Sequence, residues 1–171
     1  MKKGKKLLLV LTAVLVSSAA FAQKNTDRIM LGAGALYERG FDATVAWEHE
    51  TNYHNAWEFG FSNYIKYDVD PKVGHVTKQS FWHNYRTWGG SVAYKPCVIR
   101  GRNNHGNVRI AAMLGSDTSS FMGWVSAGYE HDYTLRGSWH LYWQVKSELG
   151  IGPARDRFRT GVVIGFKIPT N

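Results

Sequence analysis

Ser138-Trp-His-Leu-Tyr-Trp-Gln-Val-Lys-Ser-Glu-Leu149 changes character at nearly every step. Trp139, Leu141, Trp143, Val145 and Leu149 share one parity; Ser138, His140, Tyr142, Gln144, Lys146 and Glu148 share the other. A period of two belongs to an extended backbone, whose successive side chains point to opposite faces. The same alternation runs outward along the chain. Trp57, Phe59, Phe61, Ile65 and Tyr67 oppose Glu58, Gly60, Ser62, Tyr64, Lys66 and Asp68. Phe158, Val162, Ile164, Phe166 and Ile168 oppose Arg157, Arg159, Gly161, Gly165 and Lys167, and Phe41, Ala43, Val45 and Trp47 oppose Asp42, Thr44, Glu48 and Glu50.

Extending that reading gives eight strands: Arg28–Tyr37, Phe41–Thr51, Ala56–Asp68, Phe81–Lys95, Val108–Ser116, Phe121–Tyr133, Ser138–Leu149 and Arg157–Ile168. Turn-formers separate them, as in Glu38-Arg39-Gly40, Asp117-Thr118-Ser119-Ser120 and Gly150-Ile151-Gly152-Pro153. No stretch of helical periodicity rivals the strands. The predicted fold is all-β, an eight-stranded antiparallel up-and-down barrel.

Two barrels generate this pattern. A soluble ligand-binding barrel turns its apolar face inward, whereas a membrane barrel turns it toward lipid and fills its lumen with polar groups. An eight-stranded interior is packed by side chains and has little room for so many rings. The sequence holds 7 Trp, 9 Tyr and 8 Phe. The inverted arrangement is therefore expected, with Trp47, Trp57, Phe59, Phe61, Trp139, Trp143 and Phe166 facing lipid. Aromatic residues also recur near strand ends (Tyr37, Phe41, Tyr67, Phe81, Tyr94, Phe121, Tyr133, Trp139), where interfacial girdles sit. On the other face, Glu48, Glu50, Glu58, Asp68, Glu130 and Glu148 balance Lys66, Arg109, Lys146, Arg157, Arg159 and Lys167. Buried charges need partners, so a neutral, ion-paired plug is expected rather than a pore. With a periplasmic N-terminus, 69–80 becomes the longest external loop and 96–107 a periplasmic connection of unusual length. Either that turn is elaborated or the strand count differs by one.

The start of the chain carries an address. Lys2, Lys3, Lys5 and Lys6 precede the apolar run Leu7–Val16, and an Ala20-Phe-Ala22 site follows. This is a secretory signal peptide over 1–22, followed by a single barrel domain over 23–171. The 171 residues carry a formal charge of +8; removal of those four lysines leaves 17 basic against 13 acidic residues. The remaining +4 gives little reason to expect direct nucleic-acid binding. Cys97 is the one cysteine, which excludes an intramolecular disulfide and any multi-cysteine metal site. No later apolar run is long enough for a membrane helix, so if the mature protein enters a membrane it must do so as a barrel. The expected location is the outer membrane.

Several segments have a family likeness. Met30-Leu-Gly-Ala-Gly-Ala-Leu36 follows the signal peptide, and Ala46-Trp-Glu-His-Glu50 pairs with Ala56-Trp-Glu-Phe-Gly-Phe61. Phe121-Met-Gly-Trp124 precedes a terminal pair joined by residues 150–156 and closing on Gly161-Val-Val-Ile-Gly-Phe-Lys167. As a pattern over most of the mature chain, this resembles the conjugal transfer protein TraO family of conjugative transposons. One departure from outer-membrane barrels generally is the ending Ile168-Pro-Thr-Asn171, where they commonly carry a terminal aromatic. The resemblance implies an accessory, structural envelope component of a DNA-transfer apparatus. Its partners would be outer-membrane lipid and other envelope proteins, with no catalytic residues to carry over.

Enzymatic chemistry finds little support. His49, His54, His75, His83, His105, His131 and His140 are scattered without His-x-His or HExxH spacing, and no metal or other cofactor is expected. A lipid-modifying barrel enzyme would need a histidine beside a hydroxyl or carboxylate. His83 with Ser80 or Asp68 is the best such set, and His140 with Glu148 and Glu130 another. Gly32-Ala-Gly34 precedes no helix and offers no phosphate site; its glycines make room in a crowded barrel. Arg100, Arg102, Asn103, Asn104 and His105 read as a solvated basic turn, or as a contact for a periplasmic partner or anionic headgroups.

Overall fold

The computed structural model describes residues 26–37, 39–82, 85–117, 119–152 and 157–170. The expected signal peptide lies outside these residues, and so does His83. The strands are β1 (Thr26–Leu36), β2 (Gly40–Glu50), β3 (Ala56–Lys66), β4 (Tyr85–Lys95), β5 (Cys97–Arg100), β6 (Asn104–Ser116), β7 (Phe121–Thr134), β8 (His140–Ile151) and β9 (Phe158–Pro169). All pairings are antiparallel. Hydrogen-bonded neighbours run β4-β3-β2-β1-β9-β8-β7-β6. Pairing of β4 with β6, from Trp88 opposite Ser116 to Tyr94 opposite Ile110, closes the ring. The result is a closed eight-stranded barrel, whose closure leaves no open sheet edge.

The long connection after β4 accounts for the ninth strand. β5 is a four-residue strand that folds back on β6, with Cys97 opposite Asn107 and Arg100 opposite His105. It elaborates the turn and does not join the ring. A correction applies at the start of β4. Phe81 and Trp82 belong to a short helix, α1 (Lys78–Trp82), and the strand begins only at Tyr85. Local bonding favours the helical turn there: the backbone N–H of Ser80 donates to the Thr77 hydroxyl at 3.1 Å, a capping arrangement. Phe81 packs against Phe41 and Tyr67, and α1 contacts β3. Ile65, outward by parity, is consequently buried.

The start of β1 and the end of β9 lie at one end of the barrel, together with the connections 51–55, 96–103 and 135–139. The opposite end carries residues 37, 39, 67–82, 117, 119–120, 152 and 157. These are called the terminal end and the loop end below.

Alternation sorts the side chains as a membrane barrel requires. Outward residues form a continuous apolar band: Leu31 opposes Val45, Val45 opposes Phe61, Ala112 opposes Val92, and Val145 opposes Val162. Each of Leu31, Val45, Phe61, Val92, Val145 and Val162 is exposed. Inside, apolar packing is confined to small clusters, one of Met30, Ala46, Tyr142 and Val163 and one of Met113, Met122 and Trp124. Tyr142, buried in the first cluster, explains the paired glycines beneath it. A Cβ on Gly32 would stand 2.2 Å from its hydroxyl oxygen, and one on Gly165 would stand 2.7 Å from its Cε1 and 2.1 Å from the Leu31 carbonyl oxygen. The glycine-rich first strand is thus the floor on which an interior tyrosine lies.

Candidate functional site

The inward faces of the strands converge on a buried charge network. Lys167, on β9, donates to Glu48 on β2 at 2.7 Å, to Glu130 on β7 at 2.8 Å and to Asp132 at 2.9 Å. Lys95, ending β4, donates to the same Glu130 at 2.9 Å and to Glu48, and lies 3.1 Å from Glu58. Two ammonium groups therefore share Glu48 and Glu130 across the lumen, and with Glu58 and Asp132 engage carboxylates from β2, β3 and β7. Toward the loop end the pattern repeats. Arg109 donates to Glu58 at 2.7 Å and to the Ser126 hydroxyl at 3.1 Å. Lys146 bridges Asp42 and Glu148, each at 2.7 Å. Arg159 donates to the Thr87 hydroxyl at 2.9 Å, and its guanidinium carbon stands 3.8 Å from the centre of the Tyr64 ring, a cation–π contact.

Of the residues expected in this network, Glu48, Glu50, Glu58, Arg109, Glu130, Lys146, Glu148, Arg159 and Lys167 are buried inside the barrel. Three others are not. Lys66 is half-buried at the very end of β3. Asp68 lies beyond that strand and pairs with Arg39 in an exposed turn. Arg157 is exposed, one residue before β9 begins. Lys66 sits where its strand ends, and Asp68 and Arg157 lie where the alternation was carried too far into the connections.

Arg28, Asp42, Lys95, Asp132, His105 and His140 are further buried members outside the expected ion-pair set, although alternation had already put Asp42 and His140 on the polar face. Some carried a signal: Asp42 shares parity with Glu48, and Asp132 with Glu130. The buried interior thus holds six Lys or Arg against seven Asp or Glu among the described residues, with two histidines beside them. Near-neutrality arises from different members than the sequence suggested. Packing is dense. A void bordered by Thr44, Ser62, Ser91, Arg109, Met113 and Trp124 measures only about 20 Å³, room for about one water.

Outside, Trp47, Phe59, Phe61, Trp139 and Phe166 are exposed, while Trp57 and Trp143 are half-buried. Their neighbours on the same surface cover them: the Trp57 ring meets Tyr94 at 4.9 Å, and Trp143 meets Tyr129 and His131 at 5.6 and 5.8 Å. All seven lie on the outward parity.

The proposed catalytic groupings fare differently. Asp68 and Ser80 are joined through the backbone, the N–H of Asp68 donating to the Ser80 carbonyl at 3.5 Å, but the third member, His83, is not described. His140 does not meet Glu148, because eight residues along one strand span ~26 Å. Instead His140 stands at the terminal end of the lumen beside His105, with ring centres 5.8 Å apart, and His105 stacks on His54 at 4.5 Å. Three of the scattered histidines therefore gather at one mouth. Their sequence spacing held no hint of this, since a β-turn, β6 and β8 supply one each.

No family model and no curated protein matches the chain. A solved structure described as "De novo design of transmembrane beta-barrels" aligns over 88% of this chain and all of its own, with a TM-score of 0.53 at 10% identity. The likeness is one of fold. The closed antiparallel barrel is shared with that design, built from an unrelated sequence.

Proposed function

We propose that this chain is an outer-membrane barrel serving as a structural, interaction-bearing component, and that its setting is a conjugative DNA-transfer apparatus. The observation that carries the first part is the opposed distribution of its faces. A band including Val45, Phe59, Phe61, Val92, Val145, Ile164 and Phe166 faces outward and is exposed, while the charges are sealed inside. An apolar surface encircling a protein far exceeds the isolated patches of soluble monomers, and lipid is the solvent that suits it. With its lumen filled by ion-paired side chains, the barrel offers no conduit, so its contribution is mechanical: a rigid anchor that presents turns on both sides of the bilayer. No catalytic step enters this reading; Lys95, Lys167 and their carboxylates hold the wall together.

The conjugative setting rests on the resemblance to the TraO family in Met30–Leu36, Ala46–Phe61 and Gly161–Lys167. In that setting the basic turn around Arg100 and Arg102, at the terminal end, faces periplasmic partners, and the barrel contacts no DNA itself. Expression of the full chain in a Gram-negative host, followed by membrane separation and gels run with and without boiling, tests the first part. Outer-membrane recovery with heat-modifiable migration is expected; recovery in the soluble periplasm would contradict it. Deletion of the chain from a conjugative element tests the second, with a fall in mating frequency restored by complementation as the expected result and unchanged mating as the contrary one.

A further inference from the structure

We propose that the terminal mouth of the barrel binds a divalent transition-metal ion, such as Zn²⁺, through Glu50, His54 and His105. One ligand atom from each of these residues lies within 4.8 Å of the others. Ligands of a single tetrahedral zinc at about 2.0–2.1 Å stand ~3.4 Å apart, so closure of the set needs only a small inward shift of side chains. Two imidazoles and one carboxylate form a donor set suited to zinc and its neighbours, and three protein ligands leave a coordination position for water or an exogenous ligand.

The surroundings fit such a role. Glu50 uses one carboxylate oxygen for Arg28 and the other for His54, whose Nδ1 lies 2.7 Å away. Arg28 thereby leaves Glu50 one oxygen for monodentate ligation. His105 has the Asp132 carboxylate 3.3 Å from its Nε2, the kind of partner that fixes the tautomer and orientation of an imidazole ligand. His140 adds an independent observation. It is 5% exposed, its ring meets that of His105, and its Nδ1 has no hydrogen-bond partner among the described residues. Buried polar atoms without a protein partner are commonly satisfied by a bound water or ion.

His54 is also held with unusual care for a turn residue. Tyr53 and His54 have φ of 61° and 62°, two consecutive non-glycine residues in the left-handed region, a conformation that persists only where the surrounding structure imposes it. The fold imposes it from several sides. The Asn107 amide donates to the His54 carbonyl at 2.7 Å, the Cys97 N–H donates to the Asn55 side chain at 2.9 Å, and Arg100 donates to the Tyr53 carbonyl at 3.2 Å. The extra strand β5 supplies two of those three contacts, which gives the elaborated turn a purpose. Metal entry replaces the His54–Glu50 hydrogen bond: if Nδ1 is the ligand, its proton moves to Nε2, and no net proton is released from a neutral ring.

The inference does not depend on the membrane reading, because the site forms in either solvent. Its test uses the untagged full chain folded in detergent micelles, titrated with Zn²⁺ alone in a calorimeter and with Co²⁺ alone by visible absorption. Saturable one-to-one binding is expected, with the intense bands of low-coordinate cobalt. His54→Ala and Glu50→Gln should each weaken binding by about tenfold or more, while His75→Ala, in an exposed loop away from the mouth, should leave it unchanged. Heat-modifiable migration confirms that each variant is folded; should Glu50→Gln lose the folded band, His54→Ala, which lies outside the strands, decides. Absence of binding by the folded wild type, or binding unaltered by His54→Ala, would overturn the proposal.

Discussion

At the scale of single residues, the interior is governed by the cost of an unpartnered charge. Lys167 serves Glu48, Glu130 and Asp132 together, and all four are buried. Lys167→Met removes the cation and leaves those carboxylates to Lys95, which already binds two of them. The expected loss is about 3–5 kcal/mol, measured as the shift in urea midpoint of the chain folded in detergent or vesicles. Asp68→Ala breaks an ion pair exposed on both sides and should change stability by less than about 1 kcal/mol. Sterics give a second expectation. The Cβ of Gly32→Ala would meet chiefly the Tyr142 hydroxyl oxygen, so the substitution should cost about 1–3 kcal/mol. Tyr142→Phe removes that atom, and the next neighbours stand at 3.0 and 3.3 Å. The double variant should therefore recover most of the loss, a coupling that a double-mutant cycle detects; additive losses would mean that the tyrosine does not rest there.

Among the elements, alternation made the strands legible and blurred their ends. β2, β3, β7 and β8 are recognisable within a residue or two because each face keeps one character along its length. Where a connection continues the parity by chance, as at Tyr67-Asp68 or Phe81-Trp82, periodicity cannot say where hydrogen bonding stops; Thr77 and Ser80 decide it locally. Parity showed which charges point inward, but which of them meet depends on register and strand stagger. Lys95 reaches Glu48 and Glu130 across the lumen, and His105 reaches His54, through neighbours 35 to 51 residues distant along the chain, and no local pattern encodes such pairs. The outward face yields its own test. Ile164 lies midway along β9 and Phe158 at its loop-end start; both are exposed. In lipid, Ile164→Arg should cost about 2–4 kcal/mol and Phe158→Arg only about 0–1 kcal/mol, read from folding equilibria in vesicles. A soluble barrel would accept both substitutions nearly equally.

For the whole molecule, the stability sources of an ordinary domain are redistributed. Closure satisfies the backbone through continuous ladders, the lumen is cemented by charge pairs, and the apolar surface awaits its solvent outside. A bilayer is the solvent proposed for that surface, and this proposal is the central claim. Tryptophan fluorescence tests it most directly. Trp47, Trp57, Trp88, Trp139 and Trp143 face outward and Trp82 is exposed on α1 at the loop end, whereas Trp124 is buried inside. The full chain should be folded into vesicles whose acyl chains carry bromine, a contact quencher, and compared with the same chain in unbrominated vesicles. The account predicts blue-shifted emission of which the greater part is quenched by the brominated chains, with a residue from Trp124 surviving. A chain that stays soluble beside the vesicles, with emission untouched by bromine, would contradict it.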